Sequence, residues 1–302
     1  MGLVTLDSLN LNHSRSGEFC RLLEDGEILF FPLSPILLPD EDIRFLLQQK
    51  QVKAGYRKNI AYKPQRNVVS GAASASPQDS RRLLEVMSNF TESVTHFLES
   101  LLAPYAPGWR LDYASFRPQQ EKGRQVKFKA RNDLLHVDAF PTRPTGGDRI
   151  LRFFLNINPV ESRQWITSDT FEWLLGTYVG SSEMPFPAGQ EGALSRWGRH
   201  LSRWGKTLGL PLVAPSRYDD FMLRLHDHLK SNREFQDKEA RHRWEFPPGS
   251  SWMVFTDFVP HAALSGQFAL EQTLIIDRRS MLQPEKAPIS LLEKASGVKP
   301  LA

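Results

Sequence analysis

The 302-residue sequence predicts a mainly β fold with packing helices (an α+β fold): a jelly-roll, or double-stranded β-helix, barrel with a helical insertion. Predicted helices and strands occur in blocks and not in β-α-β alternation, which argues against a doubly wound parallel sheet. The strands are also short and bounded by glycine- and proline-rich turns, as in antiparallel barrels. A single domain over residues 1–302 fits this length.

Residues 1–35 are predicted to form strands, most clearly at Gly26–Phe31. A proline followed by three acidic residues predicts the start of a short helix over Ile43–Gln49. The basic stretch Lys53–Arg66 is predicted to be a surface loop, with ligand binding as the alternative. Between Ser80 and Leu102, eight apolar residues recur at helical spacing, which predicts an amphipathic helix packed on a sheet.

The remaining strands flank a helical insertion at residues 168–238. Strands are predicted at Trp109–Phe116, at Gln125–Ala130, from Leu134 onward, and at Arg149–Asn158, Trp252–Phe255, Val259–Leu264 and Phe268–Ile276. Helices are predicted in the insertion at Thr170–Tyr178, Gly192–Leu208 and Ser216–Phe235. The tail Pro284–Ala302 carries scattered proline and lysine and is predicted to fray.

The composition is that of a globular protein with a modest excess of positive charge, 38 Lys and Arg against 34 Asp and Glu. This excess suits an anionic partner but is too small to indicate nucleic-acid binding, and we expect no nucleic-acid partner. Cys20 is the single cysteine of the sequence, which excludes an internal disulfide and a cysteine-based zinc site. Without a signal-peptide pattern or a sufficiently long apolar stretch, a soluble or peripheral protein in a reducing compartment is predicted.

The strongest functional pattern begins at Leu134. His136 and Asp138 are two residues apart in a predicted strand, so both side chains point to the same face. An imidazole and a carboxylate on a rigid strand are two of the three ligands of the facial triad that holds non-haem Fe(II). A distant histidine would supply the third, and His261 is the best candidate. The alternative is a hydrogen-bonded pair at a strand edge, because H-x-D also occurs by chance.

The strand Arg149–Asn158 resembles the strand that follows H-x-D in prolyl-hydroxylase-like 2-oxoglutarate oxygenases. By this resemblance, Arg152 and Asn156 face the barrel interior beside the metal, and their four-residue spacing on a strand agrees. Because an unpaired buried guanidinium is costly, Arg152 requires an anion. The distal carboxylate of 2-oxoglutarate would be that anion, bound by the planar guanidinium fork.

The sequence departs from the commonest pattern of those oxygenases at the cofactor clamp. That pattern places a basic residue after the distal histidine, followed two residues later by Ser or Thr. Here the two positions hold Glu271 and Thr273. Thr273 can donate to a carboxylate, whereas Glu271 cannot bind one, so Arg152 is the predicted substitute. Weaker candidates are Arg149, Arg117 and Arg131.

The predicted helix Gly192–Leu208 is amphipathic. Its apolar stripe is Leu194, Trp197, Leu201, Trp204 and Leu208, beside a basic stripe of Arg196, Arg199, Arg203 and Lys206. One interpretation is a lid packed on the barrel with its basic side in water, and the other is a surface for an acidic or lipid-anchored substrate. His226 and His228 in the next helix are predicted to lie at the surface, because residues two apart do not share a helical face.

Three stretches carry a more specific resemblance: HVDAFPTRPT from His136, RILRFFLNINP from Arg149 and HAALSGQFALEQT from His261, with a looser likeness at GEILFF. They resemble a bacterial family of Fe(II)/2-oxoglutarate oxygenases that hydroxylate Kdo (3-deoxy-D-manno-oct-2-ulosonic acid) on lipopolysaccharide precursors. The resemblance covers most of the chain. It implies Fe(II), 2-oxoglutarate and O2 as cofactors, His136, Asp138 and His261 as metal ligands, and Arg152, Asn156 and Thr273 around 2-oxoglutarate.

The resemblance further implies hydroxylation at C3 of Kdo on Kdo-lipid A, which yields Ko, succinate and CO2. The expected location is cytoplasmic, with peripheral contact at the inner face of the bacterial inner membrane as an option. Two alternatives stay open. One is a hydroxylase of the same fold that acts on a protein residue or a small molecule, and the other is a non-catalytic jelly-roll sugar-binding module.

Overall fold

The computed structural model describes residues 1–52, 59–73, 76–187, 215–238 and 241–302. Within these residues the helices are α1 (Ser16–Glu24), α2 (Asp40–Leu47), α3 (Pro77–Leu101), α4 (Phe171–Tyr178), α5 (Arg217–Ser231), α6 (Arg233–Lys238) and α7 (Pro288–Ser296). The strands are β1 (Leu3–Thr5), β2 (Ile28–Phe31), β3 (Ile60–Lys63), β4 (Val68–Ser70), β5 (Trp109–Arg117), β6 (Arg149–Asn156), β7 (Arg163–Thr167), β8 (His242–Phe246), β9 (Ser251–Phe255), β10 (His261–Ser265) and β11 (Ala269–Ile276).

Two sheets form the barrel. The large sheet has the order β1-β2-β9-β6-β11-β5-β3-β4, and the small sheet has the order β10-β7-β8. Aromatic rings join them, since Trp165 of β7 lies 4.8 Å from Phe154 of β6 and 5.5 Å from Trp252 of β9, between ring centroids. Apart from the parallel β1–β2 pair, the strand pairs are antiparallel. The predicted α+β jelly-roll class is confirmed.

Helix α3 covers one face of the large sheet. Ser76 caps its N-terminus by accepting a hydrogen bond from the Asp79 backbone at 3.0 Å. Its apolar stripe faces the sheet, where the Phe97 ring lies 5.7 Å from Phe31 and 6.4 Å from Phe153. The predicted amphipathic helix is therefore confirmed, and its position leaves the other face of the central strands to line the barrel interior.

Three predictions for the first 130 residues were wrong. Residues 1–35 contain α1 as well as strands, because Phe19, Cys20 and Leu23 form a buried helical stripe. The basic loop contains β3, which pairs with β4 and β5. The segment Gln125–Ala130 is not a strand: it ends in a 3-10 turn, where Lys230 donates to the Lys129 carbonyl at 3.0 Å in place of a neighbouring strand.

The C-terminal tail is ordered and does not fray. It contains α7, whose Pro288, Ile289 and Leu292 are buried. Leu301 is also buried, and its backbone N–H donates to the Glu293 carboxylate at 2.9 Å. Apolar burial therefore outweighs the proline and lysine content that suggested fraying.

The predicted helical insertion connects β7 to β8, which are neighbours in the small sheet. The first predicted helix of the insertion is confirmed as α4. The last is confirmed as two consecutive helices, α5 and α6. The predicted helix Gly192–Leu208, with Trp197, Trp204 and the basic stripe, lies outside the described residues. Among the described residues, none of the helices combines the length and apolar character that a membrane crossing requires.

Candidate metal centre and cofactor cavity

The segment that carries H-x-D runs beside the start of β10. The backbone N–H of His136 donates to the carbonyl of His261 at 3.2 Å, and the reverse bond measures 3.0 Å. The Asp138 N–H donates to the carbonyl of Thr256 at 2.8 Å. His136 and His261 thus form an isolated β-bridge, so the strand predicted from Leu134 onward was wrong. This bridge brings the predicted distal histidine next to H-x-D.

The three predicted ligands converge below the surface of the barrel. Ligand atoms of His136, Asp138 and His261 all lie within 4.8 Å of one another, and the three side chains are buried. The backbone carbonyl two residues earlier orients each histidine ring. His136 Nδ1–H donates to Leu134 O at 2.7 Å, and His261 Nδ1–H donates to Val259 O at 3.0 Å. Each Nε2 is therefore left without its proton and lies 3.9 Å from an Asp138 oxygen.

Electrostatics puts these groups in the metal-binding protonation state. Burial lowers the pKa of His136 well below its usual value, and the charge of Lys230 adds to this. Burial also lowers the pKa of His261. Burial alone would raise the pKa of Asp138, but the Arg152 guanidinium holds it below its usual range. Two neutral imidazoles and one carboxylate result.

One oxygen of Asp138 supports the assignment of a metal. Among the described residues, the buried Asp138 Oδ2 has no hydrogen-bond partner, although Arg152 Nε lies 3.0 Å away in an orientation unsuited to donation. A buried carboxylate oxygen without a hydrogen bond is costly. A divalent cation between the three side chains would satisfy this oxygen together with both imidazole nitrogens. Two imidazoles and one carboxylate are the donor set that suits non-haem Fe(II).

A cavity of about 740 Å³ opens onto this cluster. Arg152 and Thr273 line it, as the sequence predicts. Asn156 does not: its amide donates to the carbonyls of Glu161 and Phe246, both at 3.0 Å, and accepts from the Asn158 backbone. Asn156 shares a strand face with Arg152, but it lies at the end of β6 and holds the following turn. We therefore leave Asn156 out of the proposed cofactor site.

Glu271 explains the departure from the usual clamp pattern. Its Oε1 accepts from Arg152 Nη1 at 2.7 Å, and its Oε2 accepts from Arg117 Nε at 3.0 Å. Burial alone would raise the pKa of Glu271, but the two guanidinium groups lower it, so the carboxylate is ionised. The acidic residue thus fixes two arginines at the cavity wall. Of the weaker candidates, Arg149 pairs with Asp257 and Arg131 with Asp133, and neither lines the cavity.

The charged network continues to Arg163, a residue that the sequence prediction missed. Arg163 lines the cavity, and its Nη2 donates to Glu121 Oε1 at 3.2 Å. Glu121 also lies 3.7 Å from Arg117. Burial lowers the pKa of Arg163 to about 10. Arg163 could have been found only if β7 had been predicted, because strand alternation would then have placed it on a buried face.

His226 also lines the cavity, and its prediction as a surface residue was wrong. Its ring centroid lies 4.9 Å from that of His136, and its Nδ1–H donates to the carbonyl of Val137 at 2.8 Å. Burial, with the charge of Lys230, lowers the pKa of His226 to about 4. A signal for this position was present: His226 shares a helical face with Met222 and Leu229, both buried.

Comparisons with known proteins match nearly the whole chain to one family. The model of the 3-deoxy-D-manno-oct-2-ulosonic acid (Kdo) hydroxylase family matches residues 7–299. The apo structure of the Kdo hydroxylase KdoO, a non-haem Fe(II) α-ketoglutarate-dependent dioxygenase, is 32% identical with a TM-score of 0.84, covering 100% of this chain and 98% of that one. No curated protein sequence matched the chain.

Two liganded structures of that enzyme are also similar. Its complex with α-ketoglutarate and Fe(III) is 32% identical with a TM-score of 0.83, covering 100% of this chain and 98% of that one. Its complex with succinate and Fe(III) gives the same identity and TM-score over 99% and 97% of the two chains. With a family match over nearly its whole length, the chain belongs to the Kdo hydroxylase family.

Proposed function

We propose that this protein is an Fe(II)- and 2-oxoglutarate-dependent dioxygenase that hydroxylates Kdo. The convergence of His136, Asp138 and His261 at a cavity that arginines also line is the observation that carries the proposal. A sugar-binding module would not require a buried carboxylate oxygen without a hydrogen bond between two neutral imidazoles.

The residues divide into two sets. His136 Nε2, His261 Nε2 and an Asp138 oxygen would hold Fe(II), and Arg152, Arg117 and Thr273 are the candidates for the distal carboxylate of 2-oxoglutarate. When bound, the metal and 2-oxoglutarate supply oxidation by O2, with one oxygen atom going to the substrate and the other to succinate.

The protein contributes position and exclusion of water. The backbone carbonyls behind His136 and His261 fix both rings, so the ligand geometry exists before the metal arrives. Phe154 and Trp165 line the same cavity, and Trp165 stacks on His261 with ring centroids 5.1 Å apart. This aromatic wall keeps solvent away from one side of the metal centre.

The acceptor and the carbon attacked are finer parts of the proposal. We place the hydroxyl group at C3 of a Kdo residue carried on a lipid A precursor. In support, Lys127 and Lys129 line the cavity and flank Phe128, whose side chain is half exposed. Cationic and aromatic residues at a cavity mouth suit an anionic lipid surface. Peripheral contact with the inner face of the bacterial inner membrane would follow.

The test is reconstitution with Fe(II) and 2-oxoglutarate without oxygen, followed by oxygen and either a Kdo-bearing lipid A precursor or a lipid-free Kdo glycoside. Mass spectrometry should show a gain of one oxygen atom on Kdo, matched by succinate. Preference for the lipid-linked acceptor supports the membrane proposal, and equal rates with both acceptors reject it. A non-catalytic module would consume no 2-oxoglutarate, and a hydroxylase of other substrates would leave both acceptors unchanged.

A further inference from the structure

Arg143 lies at the cavity wall, and the structure holds its guanidinium in a defined position. Its central carbon lies 4.1 Å from the ring centre of Tyr113 and 4.2 Å from that of Phe140. Its Nη1 donates to the carboxylate of Asp112. Cation–π contacts with two rings and one ion pair fix a planar group whose free movement would otherwise be large.

The other cavity arginines are committed more fully to protein carboxylates. Arg152 and Arg117 share Glu271, and Arg163 contacts Glu121. Their side chains are 11%, 11% and 1% exposed, whereas that of Arg143 is 30% exposed. Among the described residues, Asp112 accepts from one nitrogen of Arg143, which leaves Nε and Nη2 available to a ligand.

The charge of the cavity favours a further anion. Its described lining contains six cationic side chains, namely Arg117, Lys127, Lys129, Arg143, Arg152 and Arg163, against the carboxylates of Asp138, Asp227 and Glu271. Two further carboxylates, Asp112 and Glu121, pair with Arg143 and Arg163, so the described groups leave an excess of one positive charge. The dianion 2-oxoglutarate and the divalent metal cancel each other. An excess of positive charge therefore remains after the proposed cofactors bind, and it is available to the substrate.

The substrate of this family carries a suitable group. Kdo is a 2-ulosonic acid, so its C1 carboxylate and its C3 carbon are both bonded to C2. An enzyme that presents C3 to the metal must hold that carboxylate nearby. Arg143 is a candidate to hold it, because it lines the same cavity as the three predicted ligands. A chain of contacts also joins it to them, since the Phe140 ring that it contacts lies 5.4 Å from the Arg152 guanidinium carbon. Arg152 Nε in turn lies 3.0 Å from Asp138.

We propose that Arg143 binds the C1 carboxylate of the substrate Kdo residue and thereby directs C3 toward the metal. The assignment rests on the proposed function for the identity of the acid. The guanidinium fork matches the plane of a carboxylate, and the two rings and Asp112 prevent it from turning away. Lysine at this position would keep the charge but lose the fork.

The test compares a methyl glycoside of Kdo with its methyl ester, which lacks the negative charge. Anaerobic calorimetry on protein loaded with Fe(II) and 2-oxoglutarate measures both affinities. The wild type should bind the acid about 10- to 100-fold more tightly than the ester, as expected for hydrogen bonds to a charged group. Arg143→Gln should lose this preference and Arg143→Lys should keep part of it. Arg110→Gln removes an arginine that pairs with Asp148 outside the cavity, and it should keep all of it.

Thermal unfolding and iron content identify a variant that has failed to fold, and Arg143→Lys then carries the test. An acid preference that persists in Arg143→Gln overturns the proposal, as does a wild type without any acid preference. Admission of oxygen separates this result from the proposed function. If the wild type prefers the acid through Arg143 but forms no hydroxylated Kdo, the carboxylate site stands and the proposed function fails.

Discussion

Strand β6 carries two buried arginines that point to opposite faces, and their surroundings differ. Arg149 Nε donates to Asp257 at 2.8 Å, and its guanidinium carbon lies 4.0 Å from the ring centre of Phe255. Arg152 pairs with Glu271 and lies beside Asp138. Both pairs leave nitrogen and oxygen atoms without hydrogen bonds among the described residues.

Free volume distinguishes the two sites. The space beside Asp257 measures about 10 Å³, which is close to the room that one water molecule needs. The space beside Arg152 measures about 740 Å³. A water molecule can form hydrogen bonds with the unsatisfied atoms of Arg149 and Asp257. The unsatisfied atoms of Arg152 and Asp138 instead face a volume that admits a cofactor and a sugar. Buried charge alone therefore does not mark the functional site, and the adjacent cavity does.

The largest expected effect is on the cavity side of this comparison. His136→Ala, Asp138→Ala and His261→Ala should each reduce turnover to background without unfolding the protein, because the three side chains face the cavity and contribute little to the apolar core. Product analysis, bound iron and thermal unfolding measure the three properties. A variant with near-normal activity and stoichiometric iron would show that the substituted residue is not a ligand.

The next largest effect concerns the Arg149–Asp257 pair, which has little free volume beside it. Arg149→Met should destabilise the protein by about 3–5 kcal/mol, because it leaves the buried carboxyl group of Asp257, whose pKa burial already raises, without its partner. Arg152→Met should cost less stability, since water in the cavity can hydrate Asp138 and Glu271. Denaturant unfolding of the metal-free proteins measures both free energies. Equal losses would contradict the role assigned to free volume.

A third prediction concerns 2-oxoglutarate. Arg152→Ala should weaken its binding by about 2–5 kcal/mol, the usual loss for a buried charged pair, and Arg278→Ala should have little effect. Arg278 belongs to a 3-10 turn after β11 and does not line the cavity. Anaerobic titration of the Fe(II)-loaded variants measures the affinities. If Arg117→Ala has the larger effect, the clamp belongs to Arg117, and equal affinity in the Arg152 and Arg278 variants excludes Arg152.

Local pattern predicted much of this site. His136 and Asp138 were identifiable from their spacing, and helix α3 from its apolar period, because both signals are contained within a few residues. His261 was chosen as the distant histidine that would complete the triad, the resemblance to known oxygenases agreed with that choice, and the fold brings it to His136 through a β-bridge. The amino-acid types and their spacing therefore predicted three candidate ligands that the fold brings together.

The missed features depend on distant partners. The role of Glu271 follows from Arg152 and Arg117, which lie on the strands to either side of β11. His226 is placed by the carbonyl of Val137, far away in sequence. Such pairings are decided by tertiary packing, and spacing along the chain does not reveal them. Asn156 shows the converse, since correct strand alternation did not predict that its amide would bind the backbone.

The smallest expected effect tests whether burial at the cavity wall controls the protonation of His226. Burial and Lys230 lower its pKa to about 4, whereas an unfolded histidine titrates near pH 6.5. Between these values the unfolded chain binds a proton that the folded chain does not. The stabilisation from the neutral imidazole is thus fully present above about pH 6.5, and about 3 kcal/mol of it is lost as the pH falls to 4. His136 and His261, whose pKa values are also lowered, act in the same direction.

The variant His226→Asn isolates the contribution of His226 to this pH dependence, because the asparagine amide can still donate to the carbonyl of Val137 but does not titrate in this range. The metal-free variant should therefore lose less stability than the wild type between pH 6.5 and 4. His96→Asn is the control, because the His96 side chain is 90% exposed on α3, and it should keep the wild-type slope. Denaturant unfolding at several pH values measures the slopes. If His226→Asn keeps the wild-type slope, the imidazole titrates as an exposed group, and the cavity does not shield it from water.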